Sequence, residues 1–245
     1  MLDPDSIAIA NPDGQSRMAL VCEHASARIP DAYDGLGLAE ETRLSHAAWD
    51  PGALAVAEGL SRRLDAPLVA GVVSRLVYDL NRPPESPTAM PEVSEVHRIP
   101  GNTGLTQADR TARVRTHYDP FHAGVARMLD ASDRVLVTIH SFTPTFHGKR
   151  REVEIGVLHD ADTRLADAML ARAPAPWIVR RNDPYGPEDG VTHMLQRHGI
   201  ARGLPNVMIE IRNDLIADAA GQEAMADVLA PWLDAAVSDI GRAAA

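Results

Sequence analysis

Short apolar runs that alternate with amphipathic helical stretches constrain this chain more than any other feature. Ala19-Leu20-Val21-Cys22, Val135-Leu136-Val137-Thr138-Ile139 and Val207-Met208-Ile209-Glu210-Ile211 have the length and composition of buried strands. The first strand is expected over Arg17–Cys22 and the last over Asn206–Ile211. Pro67–Val73, Leu76–Leu80, Arg134–His140, Glu154–Leu158 and Pro176–Val179 also read as extended. Asp50-Pro51-Gly52 opens a helix, with Asp50 as N-cap, Pro51 at the first position, and a stripe of Ala53, Leu54, Ala57, Leu60 and Leu64. Thr106-x-x-Asp109 fits a capping box. The helix behind it spaces Val114, Tyr118, Phe121, Val125 and Leu129 along one side, with a kink expected at Pro120. Further helices are expected over Ala161–Ala171, Val191–His198 and Gln222–Ile240. This alternation predicts an α/β fold, a mostly parallel or mixed central sheet flanked by helices. No linker divides the 245 residues, so 1–245 is read as a single domain. The aperiodic stretch Arg82–Thr103 is a long loop of the kind that often forms a lid.

Composition narrows the function classes. The net charge is -10 and the acidic residues are spread along the chain, which argues against a nucleic-acid partner. The one cysteine, Cys22, lies in an apolar run, so neither an intrachain disulfide nor a cysteine-held zinc is expected. No segment approaches the roughly 20 apolar residues of a membrane span. Met1–Gln15 lacks a basic start and an apolar stretch, so a soluble, cytoplasmic protein is the expectation. The oligomeric state is not legible.

Three strands hold residues an apolar strand has no reason to carry: Glu23-His24 after the first, His140 after Ile139, and Glu210 within the last. Open α/β sheets bind ligands at the carboxyl ends of their strands. If these strands are parallel neighbours, two imidazoles and one or two carboxylates converge, a donor set that suits zinc with one position left for water. Each residue also has a plainer explanation. A histidine at a strand end is commonly a hydrogen-bonded structural residue, Glu210 could face solvent on an edge strand, and Asp50 could be only a helix cap. His46, four residues before Asp50, is a further ligand or orienting candidate. The polar-rich segment Ser74–Arg82 offers arginine forks for carboxylates, or simply an Arg75–Asp79 ion pair.

These stretches, taken in order, resemble the N-formylglutamate amidohydrolase family. The matching segments are Cys22-Glu23-His24-Ala25-Ser26 with Ile29-Pro30, His46–Ala53, Ser74–Arg82, His140-Ser141-Phe142-Thr143-Pro144, Glu154–Leu158, Asn182-x-Pro184-Tyr185 and Met208–Leu215. The family is similar in fold to zinc carboxypeptidases and aspartoacylase, and to the zinc amidases that cleave peptidoglycan. The resemblance implies a Zn2+ site at His24, Asp50 and His140, with Glu210 as general base. Glu23 is the alternative acidic ligand, because carboxypeptidase-type sites place theirs close in sequence to the first histidine. Arg75, Asn81, Arg82 and Arg212 are the implied holders of substrate carboxylates, and Arg75 or His46 would also stand near the oxyanion.

The implied reaction is hydrolysis of an N-acyl amino acid, a small-molecule substrate. N-formyl-L-glutamate, giving formate and L-glutamate in histidine degradation, is the first to try. The alternatives are another zinc hydrolase, either a peptidoglycan amidase or a carboxypeptidase, and a non-catalytic module that binds a metal or an acidic metabolite. Intact Glu210 argues against the last.

Overall fold

In the computed structural model, which describes residues 7–130 and 133–243, every residue of Met18–Cys22, Val135–Phe142 and Asn206–Arg212 is buried. Strands covered on both faces have no use for polar alternation, hence their continuous apolar runs. The sheet has seven strands: β1 (Ala8–Ala10), β2 (Met18–Cys22), β3 (Leu68–Ala70), β4 (Val135–Phe142), β5 (Ile155–Leu158), β6 (Val179–Arg181) and β7 (Asn206–Arg212). Their order is β1-β3-β2-β4-β7-β5-β6. The four strands β3, β2, β4 and β7 run parallel. β1 and β5 are antiparallel to their central neighbours, and β6 pairs parallel with β5. The sheet is therefore mixed and flanked by helices, as the sequence predicts.

Alternation divides each strand between two layers. Leu20, Val137, Ile139, Val207 and Ile209 pack against α1 (Ala53–Leu64), α4 (Arg164–Leu170) and α5 (Ala219–Ala243). Ala19, Val21, Leu136 and Met208 face Tyr118, Phe121 and Val125, from the helical stretch formed by α2 (Gln107–Arg113), a π turn over Val114–Tyr118, and α3 (Asp119–Met128). Fully buried side chains such as Phe121 and Ile139 each contribute about 1.5–3 kcal/mol of transfer energy. No helix among the described residues is long and apolar enough to cross a membrane.

Three local expectations are corrected. Leu76–Leu80 is not extended but a series of turns, because its apolar residues are divided between two clusters, Leu76 and Val77 packing with Leu36, Ala48 and Ile99, and Tyr78 and Leu80 with Tyr118 and Phe121. Asp50 is not the N-cap of α1. Gly52 holds that position with φ 82°, and a Cβ there would stand 2.4 Å from the Ile216 carbonyl oxygen, so the chain must turn tightly at a glycine before the helix begins. The edge strand spans Val179–Arg181, starting three residues later than expected. The capping box at Thr106 and Asp109 forms as expected. The π turn precedes Pro120, and the helix passes through the proline without a break.

The layer over α3 holds a chain of neutral histidines. His122 Nε2 donates to the Leu80 carbonyl (3.0 Å), so its Nδ1 accepts from His198 Nε2 at 2.8 Å. Burial above all, with nearby Arg197, drives His122 down to about 2 and His198 to about 3. Burial likewise holds His117 and His193 near 4. Each group stays neutral in the fold but takes up a proton near pH 6.5 once unfolded. Their combined effect is a stability that is complete above about pH 6.5 and falls as the pH drops toward 4, by up to about 1.4 kcal/mol per pH unit for each group. A His122→Asn/His198→Asn variant should show a shallower dependence of the urea midpoint on pH across that window than the wild type. An unchanged slope would contradict this account.

Candidate active site

The site follows from strand order. β2, β4 and β7 are adjacent and parallel, so their carboxyl ends open on one edge of the sheet. His140 and Glu210 are register partners and project side by side from the face that carries Leu136 and Met208. His24 lies just beyond β2, and its carbonyl accepts from the Asp50 amide at 2.9 Å, which draws the loop before α1 onto the strand end.

One carboxylate oxygen joins the two imidazoles. Asp50 Oδ2 lies 2.9 Å from His140 Nδ1 and 3.4 Å from His24 Nδ1, and accepts from the Ser141 amide at 3.3 Å. One ligand atom from each of His24, Asp50 and His140 falls within 4.8 Å of the others, and all three residues are buried. Zinc takes N and O donors at about 2.0–2.1 Å, so tetrahedral donors stand about 3.3–3.4 Å apart, near the 2.9 and 3.4 Å that separate Asp50 Oδ2 from the two imidazoles. His24 Nδ1 has no hydrogen-bond partner among the described residues, an orphan that a metal ion would satisfy. The donor set therefore fits zinc.

Each imidazole is backed on its other nitrogen by a carboxylate. His24 Nε2 lies 2.7 Å from Asp79 Oδ1, and His140 Nε2 3.0 Å from Glu23 Oε2. The first of these is a hydrogen bond that fixes the His24 ring with Nδ1 toward the other donors, whereas His140 Nε2 and the Glu23 carboxylate meet at ion-pair distance without hydrogen-bond alignment. Arg75 closes the cluster, with Nη2 2.7 Å from Asp79 Oδ2 and Nη1 3.5 Å from Asp50 Oδ1. Burial would push Asp50 and Asp79 up, but the imidazoles on Asp50, and Arg75 with His24 on Asp79, prevail and hold both carboxyls below their ordinary range. Burial would lower His140, but Glu23 and Asp50 hold it well above its ordinary value. Glu210 behaves oppositely. Burial, reinforced by Asp50, raises it to about 7, although His140 pulls the other way. Its Oε2 is buried and unpartnered among the described residues. A carboxyl poised near neutrality beside a zinc-type donor triad is equipped to exchange protons with a bound water.

The model of the N-formylglutamate amidohydrolase family matches residues 16–217. The chain belongs to that family. The family's activity, hydrolysis of an amide, is thereby the activity of this chain's class. A crystal structure of a gene product from Agrobacterium tumefaciens is similar at 55% identity, with a TM-score of 0.95 over 97% of this chain and 96% of the other. An N-formylglutamate amidohydrolase from Ralstonia eutropha JMP134 shares the fold at 17% identity, with a TM-score of 0.70 over 98% and 99%. No curated protein matches the sequence.

Eight of the candidate residues meet in one cleft of about 210 Å³. His24, Asp50, His140, Glu210, His46, Arg75, Asn81 and Arg82 all line it. Their commitments differ. Asn81 clasps the backbone, donating to the Val191 carbonyl (2.6 Å) and accepting from the Met194 amide (2.9 Å). His46 is 2.9 Å from Glu95, at the tip of the Val93–Ser94/His97–Arg98 hairpin in the long loop. Arg82 donates to the Asn81 carbonyl and makes no ion pair among the described residues. Two candidates lie off the cleft. Glu23 sits behind His140, and Arg212 reaches Asp214 at 2.8 Å and Glu154 at 3.6 Å. Asp79, considered from sequence only as an ion-pair partner of Arg75, turns out to support His24 as well. Phe142, Phe146 and Tyr185 line the cleft without having been named as site residues.

Among the described residues, Arg75 is the permanent cation that pairs with both Asp50 and Asp79. Arg75→Met keeps the side-chain stem but strands two buried carboxylates, and should cost on the order of 3 kcal/mol in chemical denaturation. A loss below about 0.5 kcal/mol would show that the imidazoles alone balance the cluster.

Proposed function

We propose that this protein is a zinc-dependent hydrolase of N-acyl amino acids, with N-formyl-L-glutamate its first substrate and formate and L-glutamate its products. The observation that supports it most is the meeting of His24 Nδ1, His140 Nδ1 and Asp50 Oδ2 at the foot of a cleft, with Glu210 beside them. The cleft is smaller than the roughly 300–1,000 Å³ typical of drug-sized ligands, which favours a small solute.

Zinc held by His24, Asp50 and His140 would supply Lewis acidity, activating water and polarising the amide carbonyl. Glu210 takes the proton of the attacking water at its unpartnered Oε2 and passes it to the leaving nitrogen. Asp79 keeps the His24 imidazole turned through a hydrogen bond, and Glu23 faces His140 Nε2 at ion-pair distance, so that both Nδ1 atoms stay on the side of Asp50. Arg82, free of any acidic partner within salt-bridge distance, holds a substrate carboxylate through its planar fork. Asn81 and Arg212 spend their donors on the protein and act by holding the surrounding backbone.

Metal content and turnover measured on one preparation test this reading. The wild type should carry about one zinc per chain, and His24→Ala and His140→Ala should each lose it. Glu210→Gln should keep zinc while turnover falls about 10²-fold or more. Full zinc with near-normal turnover in Glu210→Gln, or unchanged zinc in both alanine variants, would overturn the assignment. Arg82→Lys keeps the charge without the fork and should raise KM for N-formyl-L-glutamate. Unchanged kinetics would make Arg82 structural.

A further inference from the structure

The segment Asn182-Asp183-Pro184-Tyr185 has no part in the chemistry above, yet the fold brings it against the reacting carboxylate. Gly156 is the register partner of Glu210, and a Cβ on Gly156 would stand 2.3 Å from the Asp183 carbonyl oxygen and 3.2 Å from Glu210 Cβ. Only glycine lets the turn lie this close to the strand. Asn182 secures it, donating its amide to the Val157 carbonyl (3.1 Å) and accepting from the His159 amide (2.9 Å). Tyr185 is thereby carried into the wall of the cleft that Glu210 also lines.

Behind Tyr185 stands a cation with no carboxylate. The Arg151 guanidinium lies 4.9 Å from the Tyr185 ring, 4.6 Å from Phe146 and 5.4 Å from Phe142, three rings that all line the cleft. It forms no ion pair among the described residues, and its Nη2 donates to the Tyr185 hydroxyl oxygen at 3.0 Å. Arginine has no acceptor, so the phenolic hydrogen cannot point back at it. Among the described residues no other acceptor takes that hydrogen. Burial, reinforced by Glu210, raises the phenol above its ordinary value, so it stays a donor. A neutral O–H polarised by a cation behind it is suited to an anion, and the aromatic cage keeps that cation in place.

We propose that Tyr185, positioned by Arg151, is a specificity-determining hydrogen-bond donor that grips a carboxylate of the substrate. With Arg82, the cleft then carries two anion-holding groups and selects dicarboxylic N-acyl amino acids over monocarboxylic ones. The inference rests on the reading of the cleft as a substrate site, but its test does not require turnover.

Glutarate, a dicarboxylate with nothing to hydrolyse, is titrated calorimetrically into the metal-loaded wild type, Tyr185→Phe, Arg151→Met and Arg151→Lys. The phenylalanine change removes one oxygen and leaves the cage. Glutarate should bind about tenfold or more weakly to Tyr185→Phe and Arg151→Met, the scale of a hydrogen bond to a charged group, with partial recovery in Arg151→Lys. In turnover, Tyr185→Phe should raise KM for N-formyl-L-glutamate with kcat within about twofold. The effect should vanish for one of its two monoamides, the one lacking the gripped carboxylate. Equal glutarate binding by wild type and Tyr185→Phe, no binding by either, or an equal KM change for the diacid and both monoamides overturns the proposal. A wild type that binds glutarate through Tyr185 but hydrolyses no N-acyl amino acid upholds the anion grip and sinks only the hydrolase reading.

Discussion

A buried carboxylate persists only beside something that repays its lost hydration, and this protein gathers four of them, Glu23, Asp50, Asp79 and Glu210, at one sheet edge. The permanent positive charge in contact with them is Arg75, which reaches Asp79 and Asp50. The rest of the compensation comes from His24 and His140, each pinned between two carboxylates. That arrangement divides the acids into two kinds. Asp50 and Asp79 are held ionised by their partners, whereas Glu210, whose Oε2 has no partner among the described residues, is pushed toward neutrality. One electrostatic cluster thus yields both firmly ionised acids and an acid held near neutrality.

Much of this was legible in the sequence because buried ionisable residues stand out against apolar strands. Glu210 within Val207–Ile211 and His140 after Ile139 were conspicuous for that reason, and strand pairing brings them into register. The same signal was present at Asp79, flanked by Leu76-Val77-Tyr78 and Leu80, but the segment's apolar character also fitted a strand. In the fold Leu76 and Val77 fill a small separate cluster while Tyr78 and Leu80 pack into the layer of Tyr118 and Phe121, and the turns between them aim Asp79 at His24. Asp50 was ambiguous for a physical reason: an aspartate before a helix serves equally well as a cap. Gly52 takes the capping position and frees the carboxylate for the imidazoles. Glu23 is a candidate by its closeness to His24 in sequence and Arg212 by its guanidinium fork. Only the direction of their side chains, which sequence spacing does not carry, sets one behind His140 and the other among Glu154 and Asp214.

The aromatic wall was hidden for a different reason. Phe142, Phe146, Arg151 and Tyr185 come from a strand end, a two-residue hairpin arm, a loop and a turn, with no shared period. Contacts of that kind arise only from tertiary packing, and no local pattern announces them.

The place of β7 in the sheet has a consequence for how the chain is made. It is the last strand in sequence, yet it lies between β4 and β5, which do not pair with each other. Until residues 206–212 have been synthesised, β4 presents an open edge and β5 with β6 has no partner in the sheet, a state prone to pairing with foreign strands. The segment that must close this gap, Val207-Met208-Ile209-Glu210-Ile211, would be a strongly adhesive apolar stretch but for its fourth residue. While the chain is open and solvated, Glu210 carries a charge that discourages stacking of such segments, as gatekeeper residues do. The carboxylate at the centre of the site thus also guards the strand during its own assembly.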